Sequence, residues 1–256
     1  MEIPGKMQVT LVTHYGEKAG NLLELIRLCQ DKLSELLLSA FRPYELEQAH
    51  GTIIGLEGCR VENQIKNGNF LNHGGQTRFM APEELLAFLR SSEIPLLNVR
   101  IGGYRHDKEW GFLSRNKHPY LRSFSIQGPI AVAMGWPVNG ETFPNTLDKL
   151  RRRFNEVNVL HSWHRKETDI DNDFFFVLGR VDRRFVDETR LQQVEEEMRL
   201  LFAGLSNVTI PIHQGVLSLV GYLDTQLPVP TSCSFRIDNP ELDTERLLNL
   251  YPVCET

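Results

Sequence analysis

The sequence lacks the features that would place it in several large protein classes. No apolar run approaches the roughly 20 residues that a membrane span needs, and the start of the chain shows no basic stretch followed by an apolar segment, so we expect no membrane attachment and no signal peptide. Its four cysteines form no C-x-x-C pair and no zinc-finger spacing with a histidine pair. These absences predict a reduced, cytoplasmic setting.

Fingerprints of common enzyme classes are also missing. No predicted strand is followed by a GxGxxG turn and a helix, and no G-x-S-x-G nucleophile motif occurs. The stretch DIDND (169–173) begins like a calcium loop, but the required glycine is absent and Arg180 occupies the position of the final glutamate. We therefore expect this stretch, with His161 and His164 nearby, to be a solvated loop without a metal ion.

The composition that remains is typical of a globular domain, with 41% hydrophobic and 24% charged residues. A net charge of −5 argues against a general nucleic-acid coat protein and leaves room for a local basic patch. In the segment 105–122, basic residues alternate with Trp110, Phe112 and Tyr120, a pattern that suits single-stranded RNA or nucleotide bases. The alternative, which we favour, is a solvated loop with a small satellite core.

Hydrophobic periodicity predicts two successive sets of strands and helices. The first set comprises a strand (7–15), a helix (18–40), a strand (48–57), a long loop (58–80), a short helix from residue 81 and a strand (94–105). The second comprises a strand (123–138), a helix (144–160), a polar loop (161–173), a strand (174–181), a helix (188–203) capped by Asp187 and strands at 215–223 and 233–237. The acidic tail from residue 238 looks loosely attached, although its leucines and Tyr251 could dock.

This order repeats, since the first copy runs from residue 7 to 105 and the second from 123 to 223. Repetition on this scale predicts two similar α+β lobes related by a pseudo-dyad. We therefore predict one bilobal domain over residues 1–256, with lobes at 1–105 and 123–237 and a tail at 238–256.

The stretch QAHGTIIGL (48–56) puts His50 and Thr52 on one face of a predicted strand, because strand side chains alternate between faces. With this motif in place, the chain resembles the two-histidine (2H) phosphoesterase superfamily, especially its RNA ligase/cyclic phosphodiesterase-like branch. The resemblance is carried by the leading strand MQVTLVTHY, the amphipathic helix, the HGTIIGL strand, the element order through IPLLNVRIGGY and IAVAMGW, and the late segment VLSLVGYLDTQLP.

The resemblance implies two lobes whose antiparallel sheets face a central cleft, with the helices outside. One H-x-[ST] motif would enter the cleft from each lobe, one histidine acting as general base and the other as general acid on a phosphodiester. Such chemistry is sound near pH 7, because a neutral imidazole accepts a proton and an imidazolium donates one. It implies no metal and no cofactor, and a nucleotide or RNA end as the partner. His50 would be the base or a phosphate contact, and Thr52 would hold a phosphate oxygen.

The second motif of the family is not found in this sequence. Matching the end of the motif to the strand NDFFFVLGRV puts Phe175 in place of the histidine and Val177 in place of the hydroxyl. A second register, on GVLSLVGYLD, matches Ser218 to Thr52 but puts Val216 in place of the histidine. The loop histidines that could substitute are His14, His161, His164 and His213.

We therefore predict a 2H phosphoesterase-like protein that binds a nucleotide or an RNA-terminal phosphodiester, with altered or lost catalysis. Further ligand contacts are predicted at Arg180, Ser218 and Tyr222. Two alternatives stay open: a non-catalytic scaffold that keeps the fold and binds a protein partner, and an active metal-independent phosphodiesterase with a remodelled second site. The geometry around His50 distinguishes these alternatives. If His50 lies in a closed core, the prediction of an active phosphodiesterase fails.

Overall fold

The chain folds around one long antiparallel β-sheet. A computed structural model describes residues 7–18, 20–91, 94–206 and 208–254. Within these ranges the strands are β1 (Gln8–Thr13), β2 (Phe41–Pro43), β3 (Gly51–Gly55), β4 (Gly58–Val61), β5 (Gln64–Asn67), β6 (Phe79–Met80), β7 (Leu97–Ile101), β8 (Phe124–Gln127), β9 (Ile130–Pro137), β10 (Phe174–Val181), β11 (Val208–Ile212), β12 (Leu217–Tyr222) and β13 (Cys233–Arg236). The helices are α1 (Gly20–Leu37), α2 (Gly68–Gly74), α3 (Pro82–Arg90), α4 (Pro119–Arg122), α5 (Thr146–Arg153), α6 (Glu188–Gly204) and α7 (Thr244–Asn249).

The main sheet combines strands from both predicted repeats. Among the described strands its order is β11-β7-β9-β10-β3-β1-β12-β13, with β2 beside β10 and β8 beside β9. Strand β7 from the first repeat lies between β9 and β11, and β12 from the second repeat pairs with β1. The α+β class is therefore confirmed, whereas residues 1–105 and 123–237 do not form separate sheets.

The link between β11 and β12 shows that this sheet is strongly curved. The chain passes directly from Ile212 to Leu217, a span of at most about 18 Å. In a flat sheet these two strands would stand six spacings apart, or about 29 Å. The sheet must therefore bend back on itself, and Nε2 of His14, just after β1, lies 3.3 Å from the carbonyl oxygen of Pro211 in β11.

The two long helices carry the apolar stripes that the sequence predicts. In α1 the buried side chains include Leu22, Leu25, Ile26, Cys29 and Leu33, and in α6 they are Leu191, Val194, Met198 and Phe202. The carboxylate of Asp187 accepts a hydrogen bond from the backbone N–H of Arg190, which confirms the predicted cap. In the described part of the chain, no helix combines the length and apolar character needed to cross a bilayer.

Residues 58–80 are ordered structure and not the long loop that the sequence predicts. They form the hairpin β4–β5, the short helix α2 and strand β6, and the three strands make a second, small antiparallel sheet. The asparagines and glycines serve as caps: Asn67 accepts from the N–H of Phe70 at the start of α2, and Gly75, with φ of +61°, ends it. Composition alone could not separate caps from an open loop.

The tail after residue 238 is packed and not loosely attached. Leu247, Leu248, Leu250 and Tyr251 of α7 and the residues after it are all buried in the main core. A disulfide joins Cys254 to Cys59 of β4, and the N–H of Cys254 donates to the carbonyl of Arg60. A disulfide is typical of an oxidising environment, which differs from the reduced setting that the sequence predicts.

Strand β11 is missing from the sequence prediction. Ile210 and Ile212 point into the core while the residue between them is exposed, so the strand shows the usual alternation over only five residues. Pro211 fits at this position because β11 is the edge of the sheet.

Candidate functional site

His50 and Thr52 lie on the face of the sheet that points away from the main apolar core. The register between β3 and β10 sets Val177 beside His50 and Phe175 beside Thr52, and the N–H of Val177 donates to the carbonyl of His50 at 3.2 Å. These are the two residues that the sequence matches to the missing second motif. The neighbouring strand therefore offers His50 an apolar side chain where a partner imidazole would be needed.

The imidazole of His50 is enclosed. Its side chain is 4% exposed, its Nδ1 donates to the carbonyl of Gln48 at 2.7 Å, and the ring of Tyr15 lies edge-on at 6.1 Å. Burial, with a smaller contribution from the nearby positive charge of Lys18, lowers the pKa of His50 to about 4, although the hydrogen bond to Gln48 acts in the opposite direction. A neutral imidazole with this pKa is a weak base at pH 7 and cannot serve as a proton donor.

Packing explains the glycine between the two motif residues. A Cβ atom on Gly51 would lie 2.1 Å from the ring of Phe174, so the main core fills the space on that side of β3. The glycine is therefore required by the fold, whether or not the motif binds a ligand.

The predicted hydroxyl ligands do not converge on one point. Val12 of β1 pairs with Thr52 on one side and with Ser218 of β12 on the other, and Ser218 in turn pairs with Arg236. The two hydroxyl residues therefore share a face but are separated by a whole strand. Ser218 is also buried, with 4% of its side chain exposed.

Tyr222 belongs to a small apolar cluster on the same face. It packs with Tyr15 against Val12, Val220 and Leu227. Burial raises its pKa to about 12, so the hydroxyl stays protonated at neutral pH. This position supports packing of the loop after β12, and it gives no sign of the predicted ligand contact.

The loop 161–173 is solvated only in part: Trp163, residues 165–168 and Ile170 are exposed as the sequence predicts, whereas His161, His164 and residues 171–173 are buried. Nε2 of His161 lies 2.7 Å from a carboxylate oxygen of Asp171, and Nε2 of His164 lies 2.8 Å from Asp148. Both imidazoles are less than a tenth exposed. Burial lowers the pKa of both, to about 4 for His161. Nε2 of each imidazole is held by a carboxylate, and no described hydrogen bond or ring contact joins either histidine to His50.

Arg151 ties this loop to β3. Its guanidinium donates to the carbonyls of Thr52 and Ile53 at 3.2 and 2.7 Å, and to a carboxylate oxygen of Asp171 at 3.0 Å. It also donates to the backbone carbonyls of Asp171 and Asp173. The register of β3 against β1 shifts at this point, so Arg151 satisfies carbonyls that the neighbouring strands leave unpaired.

The remaining loop histidines do not complete a catalytic pair. His14 contacts Pro211, and burial lowers its pKa to about 4. Nδ1 of His213 accepts from the N–H of Gly215 at the turn before β12. No described hydrogen bond or ring contact joins either of them to His50. In the described part of the chain, no three His, Cys, Asp or Glu side chains are grouped to hold a metal ion.

The segment 105–122 builds a second apolar cluster instead of a stacking surface. Trp110 packs with Tyr104 and Trp136, and Phe112 packs against them. Trp110 is 8% exposed, so its ring offers no free face for a base. The satellite core that the sequence favours is therefore confirmed.

A different group of residues lines an open cavity at the end of β10. The cavity has a volume of about 680 Å³ and lies between the β8–β9 turn, the β2–β10 pair and the loop after β12. Arg180, the predicted ligand contact, lines it together with Arg42, Tyr44 and Asp224. We call it the arginine cavity. Its size is in the range of about 300–1,000 Å³ that small-molecule sites have.

Arg42 and Arg180 stand directly opposite each other on β2 and β10. Neither side chain forms a hydrogen bond or an ion pair with any residue that the structure describes. Two guanidiniums on this wall of the cavity therefore keep their donors free.

The other charged groups around the cavity are bonded to residues other than Arg42 and Arg180. Arg184 pairs with Asp182, and the carboxylate of Asp224 accepts hydrogen bonds from Gln226. The hydrogen bonds from Arg184 are the main reason that the pKa of Asp182 falls to about 2, and the charge of Arg42 is the smallest contribution. The two arginines of the β2–β10 pair therefore lack a carboxylate that is bonded to them.

Tyr44 adds a neutral donor to the arginine cavity. Burial raises the pKa of its hydroxyl to about 12, while the charge of Arg180 acts in the opposite direction. The hydroxyl is thus protonated at neutral pH, and no described group accepts a hydrogen bond from it. Two guanidiniums and one phenol can together bind an anion with several oxygen atoms.

Arg180 is a ligand contact predicted from the sequence, whereas Arg42 and Tyr44 are not. The short strand FRP (41–43) reads in the sequence as the end of the preceding helix, and its pairing with β10 joins residues far apart in the chain. Nothing local in the sequence marks Arg42 as the neighbour of Arg180.

Comparisons with known proteins assign no family to the chain. No family model and no curated protein matches it. Among solved structures, the crystal structure of TT0787 of Thermus thermophilus is similar over 90% of this chain and 94% of that chain, with 12% sequence identity and a TM-score of 0.41. At this level of similarity the match assigns neither a fold family nor a function.

Proposed function

We propose that the protein is a 2H phosphoesterase-like protein that binds the phosphate end of a nucleotide or RNA without cleaving it. The observation that carries this proposal is the pair Arg42 and Arg180, two arginines with free donors in an open cavity beside a protonated Tyr44. Arginine is the side chain best suited to bidentate phosphate binding. The two-lobed arrangement with a central cleft, which the resemblance implies, belongs to this proposal.

The loss of catalysis follows from the surroundings of His50. Hydrolysis by the two-histidine mechanism needs a base and an acid on opposite sides of the phosphate, and each group typically contributes about 10²- to 10⁴-fold in rate. Here the imidazole is buried beside Val177, and Phe175 occupies the other motif position. The binding function therefore rests on the arginine cavity and not on the motif.

The experiment measures turnover and binding on the same protein. We expect the wild type to leave 2′,3′-cyclic nucleotides, 2′-5′ oligoadenylate and cyclic dinucleotides intact, and His50→Ala to behave alike. We expect calorimetry to detect binding of nucleotide phosphates that Arg180→Gln weakens and Arg105→Gln keeps, since Arg105 pairs with Asp107 and does not line the cavity.

Two outcomes would overturn the proposal. Turnover that depends on His50 would show an active phosphodiesterase with a remodelled second site. Absence of any phosphate binding by the folded wild type would leave the scaffold with a protein partner. We also propose a cytoplasmic location. Thiol labelling of freshly isolated protein tests it, because Cys59 and Cys254 react with the label only if they are reduced.

A further inference from the structure

The two free arginines place a demand on the charge of the ligand. Like charges directly opposite each other on neighbouring strands destabilise a sheet, and Arg42 and Arg180 occupy such positions. A ligand with two negative charges would neutralise both guanidiniums. A ligand with one negative charge would leave one positive charge uncompensated. A phosphomonoester carries about −1.5 to −2 charges at pH 7, and a phosphodiester or cyclic phosphate carries a single one.

The number of donors points in the same direction. Two guanidinium forks that bind in the bidentate manner, together with the hydroxyl of Tyr44, need more acceptor positions than two oxygens comfortably provide. A phosphomonoester has three terminal oxygens, while a diester or a cyclic phosphate has two that are not esterified. The acidic groups that line the cavity, Asp182 and Asp224, are held by Arg184 and Gln226 and accept no hydrogen bond from the two free arginines.

We infer that the group bound in the arginine cavity is a terminal phosphomonoester, such as a nucleotide 2′- or 3′-phosphate, in preference to a diester or a cyclic phosphate. This inference rests on the proposed function and specifies the chemical class of its ligand. The reaction class that supplies such an end is hydrolysis of a phosphodiester or of a cyclic phosphate. The protein would accordingly bind what the phosphoesterases that it resembles release.

Isothermal titration calorimetry at neutral pH and low salt tests this inference. The probes are adenosine 3′-monophosphate, adenosine 2′,3′-cyclic monophosphate and adenosine, followed by a tetranucleotide with a 3′-phosphate and the same tetranucleotide with a cyclic end. We expect the monoester to bind at least about tenfold more tightly than the cyclic form in both pairs, as one added charge-assisted contact would give, and adenosine not to bind.

Variants assign the preference to the cavity. Arg42→Gln and Arg180→Gln should each remove most of the difference between monoester and cyclic phosphate, because each leaves a single guanidinium. Arg105→Gln is the matched control and should keep the difference, because Arg105 is an exposed arginine paired with Asp107 and does not line the cavity. Arg42→Lys retains the charge without the fork, so it separates the contribution of charge from that of geometry.

The possible failures are distinct from one another. Equal or tighter binding of the cyclic phosphate would overturn this inference and leave phosphate binding in place. Binding of neither form by the folded wild type would overturn the proposed function itself. A preference for the monoester that survives both Arg→Gln variants would show that the preference arises elsewhere, and would overturn the assignment to this cavity. Tight binding confined to the oligonucleotides identifies an RNA end, and equal binding of the mononucleotide identifies a free nucleotide.

Discussion

Arg151 and the pair Arg42 and Arg180 show two opposite uses of the same side chain. Arg151 is 2% exposed, and each nitrogen of its guanidinium donates to a carbonyl or carboxylate of the fold. Arg42 and Arg180 line an open cavity and donate to no described residue. A guanidinium whose donors are all satisfied holds the protein together, and one whose donors are free is available to a ligand. Four predictions test this contrast.

Arg151→Met should have the largest effect on stability. It would leave the buried carboxylate of Asp171 without its main cation and the carbonyls of Thr52 and Ile53 without donors. Removing one partner of a buried ion pair typically costs about 3–5 kcal/mol of unfolding free energy. Urea unfolding followed by circular dichroism measures the loss. An unchanged midpoint would show that Arg151 is not the structural centre of this region.

The double variant Arg42→Gln/Arg180→Gln should show the reverse behaviour. We expect affinity for adenosine 3′-monophosphate to fall by about 100-fold, or roughly tenfold for each arginine, as lost charge-assisted hydrogen bonds imply. The free energy of unfolding should change by no more than about 0.5 kcal/mol, because no described contact is lost. Calorimetry and urea unfolding of the same preparation measure both quantities. A large loss of stability would mean that these arginines are structural after all.

Acid should lower the free energy of unfolding through the protonation of His50. Its pKa in the folded protein is about 4, below the ordinary value of about 6.5 for the unfolded chain. Between these values the unfolded state binds the proton more readily, so stability is complete above about pH 6.5 and is lost as the pH falls towards 4.

The variant His50→Asn isolates this contribution from those of the other buried histidines. Asparagine can donate to the carbonyl of Gln48 but does not titrate. The difference in unfolding free energy between pH 7 and pH 5 should shrink by about 1–2 kcal/mol in the variant. If the pH dependence stayed the same, the pKa of His50 in the folded protein would lie near its ordinary value of about 6.5, where an imidazole can exchange protons at neutral pH.

Arg184→Gln should have the smallest effect of all. Its pair with Asp182 is exposed, and exposed ion pairs contribute little to stability. We expect no measurable shift in the urea midpoint and less than about a twofold change in phosphate affinity, since this guanidinium is already engaged. A loss of affinity comparable to that of Arg180→Gln would extend the anion site beyond the β2–β10 pair.

The regular elements could be predicted because their signals are local. The stripe of α1, the Asp187 cap of α6 and the apolar run of β10 each lie within a few turns or residues. The order of strands could not be predicted in the same way. Nothing in the sequence of β7 indicates that it pairs with β9 and β11 instead of the strands before it. Strand pairing depends on contacts between segments that are far apart in the sequence.

Only part of the candidate site could be predicted from the sequence. Motif spacing matched Phe175 and Val177 to the second histidine and hydroxyl, and the register of β10 places these two residues beside Thr52 and His50 respectively. The same spacing could not show that His50 is buried, since exposure depends on Tyr15 and on loops far along the chain. Arg42 was missed for a related reason: an unpaired charge is recognised only after all of its neighbours are known.

The pairing of β1 with β12 has a consequence for synthesis on the ribosome. Gln8 lies opposite Tyr222, so β1 must wait until the chain has been synthesised as far as β12 before both of its edges are covered. Until then β1 and β3 expose an open strand edge, which is a site for pairing with other chains. Long-range pairing of this kind is slow, and the bond between Cys59 and Cys254 can close only after Cys254 has been synthesised, 195 residues after Cys59. We therefore expect the nascent chain to depend on chaperones late in synthesis, and C-terminal truncations to aggregate instead of leaving a folded N-terminal half.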